Sequence, residues 1–167
     1  MITVEAGAVL SADGVYRYSL TRWWSPAGVV RWVMLNPSTA DARDDDPTIR
    51  RCVGFARAWG YGAIEVVNLF ALRATDPQQL AQHPDPVGPD NDLHLVGRDL
   101  LTVPVLTVCA WGAHHFAAER AAQVLARLRE DGVTPHHLGL TANGSPRHPL
   151  YLPKTATPVA FAPEVHP

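Results

Sequence analysis

Four short polar clusters each close an apolar run: Asn36-Pro37-Ser38 after "VVRWVML", Asn68 after "AIEVV", Trp111-Gly112 after "PVLTVCA", and Arg147-His148-Pro149 in the loop beyond "HHLGLT". Asn68 offers both a donor and an acceptor, which is what reading the edge of a pyrimidine or purine requires. His148 could donate to a base oxygen or a phosphate as negative charge develops there. Asn36 could hold a water through its side-chain carbonyl, although it cannot take up a proton as a carboxylate does. Asp44, Asp45 and Asp46 lie close in sequence and could supply that charge, although Asp46 is better explained as a helix cap. Such groups could hold a water on one side of a bound ligand and donate hydrogen bonds to it on the other.

Further residues could complete such a site. Pro37 and Ser38 would form one wall beside Asn36. Phe70 or Tyr151 could stack on a base, and core packing competes as the reading of Phe70. Arg73, Arg147, Arg50 and Arg51 are candidates for a phosphate or carboxylate, since a guanidinium presents a planar fork of donors. Trp111 reads more readily as core than as a ligand contact.

The elements that must position these groups follow from patterning. "GVYRYSLTRWW" and "GVVRWVMLN" flank the turn-forming Ser25-Pro26-Ala27-Gly28, which predicts an N-terminal hairpin running into a central strand that ends at Asn36. Asp46-Pro47 has the form of an N-cap followed by proline at the first helical position. Ile49, Cys52, Val53, Ala56 and Trp59 continue at helical spacing, and Gly60 and Gly62 end the helix. "AIEVVNLFAL" is a buried strand ending near Asn68. A proline-rich loop from Pro77 to Pro89 leads to a helix around Leu93–Leu101, followed by the strand "PVLTVCAWG". A further helix carries Ala113, Phe116, Ala117, Arg120, Ala121, Val124, Leu125 and Leu128 on one stripe, with Gly132 beyond its end. The shorter strand "HHLGLT" comes next, and the stretch from Pro153 is proline-rich and reads as frayed.

Strand and helix alternate three times, which predicts a mostly parallel sheet covered by helices. Ligands of open parallel sheets bind beyond the carboxyl ends of the strands. All four polar clusters would then face one crevice.

Composition narrows the classes. The chain has 167 residues, 47% apolar and 18% charged, long enough for one domain with a real core. A formal charge of −2 argues against a broadly basic nucleic-acid surface. No apolar run approaches the roughly 20 residues of a membrane span, and no secretory pattern opens the sequence, so a cytoplasmic location without membrane contact is expected. Cys52 and Cys109 read as buried reduced thiols. The pairs His114-His115 and His136-His137 lack cysteine or acidic partners at metal spacing, so neither metal nor cofactor is expected. Phosphate-binding GxxxxGK[ST], HExxH and GxSxG patterns are missing.

"MLNPSTA", "DDPTIRRC", "VVNLFALRATDP", "DPVGPDND", "WG" and "GSPRHPLYL" resemble a bacterial family, domain-of-unknown-function family 1643, over roughly Tyr16 to Leu152. More loosely, Asn36-Pro37, Asn68, Trp111-Gly112 and His148-Pro149 are similar, in order, to the strand-end motifs of the uracil-DNA glycosylase superfamily. Leu35 before the asparagine, Leu150 after His148-Pro149, and Arg147 before the histidine depart from that pattern. The looser resemblance implies an α/β three-layer sandwich with a central four-stranded, mostly parallel sheet, here with an N-terminal antiparallel hairpin. One domain over 1–152 and a tail over 153–167 are expected.

That resemblance also implies hydrolysis of an N-glycosidic bond of a nucleobase, in DNA or in a nucleotide, with Asn36, Asp46 and His148 as the reacting groups. A non-catalytic module that binds a nucleobase or nucleotide in the same crevice is the alternative, favoured by asparagine where a carboxylate would handle the water. A hydrolase of another small substrate is a third.

Overall fold

The computed structural model describes residues 4–38, 43–96, 103 and 105–162. Seven strands form one mixed sheet: β1 (Glu5–Leu10), β2 (Arg17–Trp23), β3 (Val29–Met34), β4 (Ala63–Asn68), β5 (Val105–Cys109), β6 (Pro135–His137) and β7 (Val159–Ala160). Their spatial order is β1-β2-β4-β3-β5-β6-β7. The inner run β4-β3-β5-β6 is parallel, and β1, β2 and β7 join it antiparallel.

This corrects the expected four-stranded sheet of glycosylase type. It also corrects the hairpin. β2 does not pair with β3, because β4 lies between them, and the antiparallel partner of β2 is β1. The reason lies in burial. Every residue of β3 is buried, so β3 must lie at the centre with helices over both faces, and parallel neighbours supply those helices through their crossovers. β1 and β7 are short, half-exposed or exposed edge strands with little hydrophobic signal.

Alternation along the strands divides the core in two. Trp32, Met34, Val66, Val108 and Ala110 face one layer, where Phe55 of α1 (Pro47–Ala58) and Trp59, which caps that helix, pack on Trp32. Val33, Leu35, Val67, Cys109 and Trp111 face the other. There they meet Leu80 of α2 (Gln78–Gln82), Leu95 of α3 (Asn91–Val96), and Ala121, Val124 and Leu128 of α4 (Ala118–Glu130). Cys52 and Cys109 lie in opposite layers, both buried, and burial pushes both thiols far up. They are inert packing groups.

α1 begins where expected. Asp46 caps it, its Oδ1 accepting from the Ile49 N–H at 2.8 Å, and Pro47 opens the first turn. The helix expected around Leu93–Leu101 is described only over Asn91–Val96, and the rest of that span lies outside the described residues. Beyond Pro153 the chain is not frayed as far as residue 162: β7 pairs with β6, and Trp59 Nε1 donates to the Ala156 carbonyl at 3.3 Å. Among the described residues, no helix is long and apolar enough to cross a membrane.

Candidate functional site

Parallel pairing sets the site. Met34 of β3 stands opposite Asn68 of β4, so both strands end at the same level. Past that level the chains stay together, with Leu69 N donating to Met34 O at 2.9 Å and Phe70 N to Leu35 O at 3.0 Å. On the other flank Ala110 N donates to Val33 O at 2.8 Å, carrying Trp111 and Gly112 to the same edge. Gly112 N then donates to Pro146 O at 2.9 Å, which draws the His148 loop inward.

A cavity of about 200 Å³ opens there. Asn36, Pro37 and Ser38 line it from the end of β3, Asn68 from the end of β4, and Trp111 from the end of β5. His148 closes the far side, while Asp46, Thr48 and Ile49 enter from the start of α1. Arg17 of β2 and His114 also border it. A larger cavity of about 460 Å³ lies near the amino end of β5, between Arg31, Thr107 and His136, and gathers no comparable set of polar side chains.

Each polar group is held differently. Asn36 Nδ2 donates to the Ala74 and Pro37 carbonyls at 2.9 and 3.0 Å, which occupies both amide hydrogens and leaves Oδ1 as an acceptor. Asn68 is 3% exposed as a residue, and its carboxamide borders the cavity. Ser38 Oγ donates to Asp46 Oδ2 at 3.4 Å. His148 Nδ1 accepts from the Leu150 N–H at 3.3 Å, which assigns the ring proton of the neutral imidazole to Nε2.

Charge at the cavity is mixed. Burial holds His148 below the ordinary imidazole range; the Asp46 carboxylate opposes this and His114 adds to it. Burial likewise lowers Arg17, with Arg73 adding and Asp46 opposing, yet a guanidinium stays cationic. The site therefore holds a fixed cation, a carboxylate and a neutral N–H donor within one small volume. Gly112, at φ +76°, fits between the histidines: a Cβ there would lie 3.7 Å from His114 Nε2 and 4.0 Å from His148 Cβ.

Phe70, Arg73, Arg147 and Tyr151 do not line the cavity, nor do Asp44, Asp45, Arg50 and Arg51. Phe70 packs in the core against Phe116, with ring centroids 6.0 Å apart. Arg73 donates to the Gly14 carbonyl at 3.0 Å, and the exposed Arg147 to the Leu140 carbonyl at 3.3 Å. Tyr151 stands outside the cavity, 83% exposed, its ring 5.8 Å from that of His148. Sequence reading missed Arg17, Thr48 and His114. Arg17 carried no usable signal, because β2 also holds Ser19, Thr21 and Arg22, whereas His114 stands two residues past the Trp-Gly strand end. Among the described residues, no group of three or more His, Cys, Asp or Glu is placed to hold a metal.

The fold and its cavity define an α/β protein with a polar pocket at the carboxyl edge of a mixed sheet. The chain belongs to the family described as "Protein of unknown function (DUF1643)", which matches residues 17–150. No curated protein and no solved structure matches it. The short-motif likeness to uracil-DNA glycosylases thus finds no support in these comparisons.

Proposed function

We propose that this cavity binds a single nucleobase and hydrolyses its N-glycosidic bond. The observation that carries the reading is Asn68. Its carboxamide borders the cavity from the end of β4 and can offer one donor and one acceptor to a single ligand edge. A volume of about 200 Å³ is below the roughly 300–1,000 Å³ of pockets for drug-sized ligands, which favours one ring over a whole nucleotide.

In the proposed reaction Asn36 Oδ1 accepts a hydrogen bond from the attacking water. The water oxygen bonds to the anomeric carbon as the bond to the base nitrogen breaks, and that electron pair leaves with the base. Asp46 takes the proton released by the water. The Nε2–H of neutral His148 donates to the base atom on which negative charge gathers, which strengthens in the transition state. The proton held by Asp46 finally returns to the base.

The non-catalytic alternative has one observation in its favour: both Asp46 oxygens are engaged, by the Ile49 N–H and by Ser38. Chromatographic release of free base from nucleosides, nucleotides and short uracil- or hypoxanthine-containing oligonucleotides tests the proposal. Turnover that disappears in both Asn68→Ala and His148→Ala supports it. Ligand-induced thermal stabilisation without any base release leaves the binding module instead.

A further inference from the structure

Further along α1, beside the cavity, runs a groove of about 330 Å³ lined by Arg50, Arg51, Gly54, Phe55, Ala58 and Lys154. It gathers three of the chain's 14 lysines and arginines, including its single lysine, without a carboxylate. Arg50, Gly54 and Ala58 are spaced four apart and so form one stripe of the helix. Arg50 and Lys154 are exposed. Arg51 is held in place: it donates to the Pro149 and Leu152 carbonyls and lies over the Phe55 ring, 5.1 Å from its centroid.

Gly54 has no conformational need to be glycine. It lies in mid-helix without a positive φ, and a Cβ there would meet nothing within 4 Å. Glycine in a helix interior is destabilising relative to alanine. What the missing side chain leaves is an open groove floor between cations.

Groove and cavity share their supports. The first turn of α1 lines the cavity, and the following residues line the groove. The turn that Arg51 holds, Pro149–Tyr151, starts at His148. Tyr151 presents its exposed ring at this junction. A base in the cavity, a neighbouring base on Tyr151 and phosphates over Arg50 and Lys154 would lie along one path.

We infer that the groove is a phosphodiester track, so that the substrate is a base within a single-stranded polynucleotide and not a free nucleoside; this rests on the nucleobase reading of the cavity. Three cations follow a few phosphates of a flexible strand, and exposed aromatics hold unstacked bases. A net charge of −2 and a single-base cavity do not suit a broad grip on a duplex.

The test is fluorescence anisotropy with a labelled twelve-nucleotide mixed-sequence single strand and its duplex, from low to moderate sodium chloride. Wild type should bind the single strand with a log–log salt slope near −2, from three phosphates at about 0.7 each. The Arg50→Ala/Lys154→Ala variant should flatten that slope by about 1.4, while base release from a free nucleoside stays as in wild type. An unchanged slope in the double variant overturns the track, and equal affinity for the duplex overturns the single-strand assignment. If the track alone is wrong, nucleosides are cleaved but oligonucleotide binding shows no salt slope. If the nucleobase reading alone is wrong, the slope and its loss persist while neither substrate releases base.

Discussion

The Asn91 side chain donates both of its amide hydrogens to the end of β4, to the carbonyls of Asn68 and Leu69 at 3.0 and 3.1 Å. Asn91 is fully buried at the start of α3, so one side chain ties a helix to the strand end that presents Asn68 to the cavity. Arg120 of α4 donates to the same Leu69 carbonyl at 2.9 Å. Asn91→Ala should therefore cost about 1–3 kcal/mol, the penalty for leaving buried carbonyl capacity unfilled. Urea unfolding measures it. Asn91→Asp should be worse than Asn91→Ala, because a carboxylate would face two carbonyl oxygens. A cost below 0.5 kcal/mol for both would mean that Asn68 is positioned without this clamp.

Legibility in the sequence followed burial. The parallel inner strands were readable because continuous apolar runs such as "VVRWVM" admit few positions other than a sheet centre. Parallel register sets Met34 opposite Asn68, so Asn36 stands two residues past that level at the same sheet edge. β1 was not readable: "EAGAVL" lies on an edge and is only partly covered, so no face of it had to be apolar. Turn chemistry at Ser25–Gly28 describes a reversal and not which strand lies alongside, so it does not reveal that β2 pairs with β4 instead of β3. Arg17 escaped because a buried cation breaks the rule that buried strands are apolar, and only tertiary neighbours such as Asp46 reveal why it is tolerated. Asn91 stood in a proline-rich loop pattern, where its buried clamp leaves no periodic trace.

His148 makes stability depend on pH. Its folded pKa is lowered from the ordinary imidazole value, chiefly by burial, and His137 is lowered for the same cause. The unfolded chain therefore binds more protons than the folded one as pH falls through that range. The contribution is fully present above pH ~6.5 and is lost as pH drops through the folded values. Thermal unfolding followed from pH 7.5 to 5 should show a falling Tm, with a shallower fall in His148→Asn. A Tm that rises on acidification, with wild type and His148→Asn parallel, contradicts this assignment.

Gly54 predicts a trade between stability and binding. Alanine fits at this position without displacing any neighbour, so Gly54→Ala should stabilise the protein by about 0.5–1 kcal/mol through helix propensity. The added methyl would also narrow the groove floor beneath Arg50 and Lys154. Single-strand affinity should fall as Tm rises. Paired calorimetry and anisotropy on one variant read both effects, and a variant that gains stability with undiminished affinity removes the reason for a glycine there.

Asp46 carries two roles that substitution can separate. As a cap it needs only an oxygen acceptor for the Ile49 N–H, and asparagine supplies that almost as well as aspartate. As a proton acceptor beside His148 and Arg17 it needs its charge. Asp46→Asn should therefore remain folded within about 0.5 kcal/mol of wild type and lose base release, whereas Asp46→Ala should lose about 1 kcal/mol as well. The coupling to His148 supplies an independent readout. Without the Asp46 charge, the His148 pKa should fall further, because the one neighbour that favours its protonated form is gone. NMR titration of the imidazole follows that shift directly. An Asp46→Asn protein that retains turnover would remove the carboxylate from the mechanism and leave it as the helix cap alone.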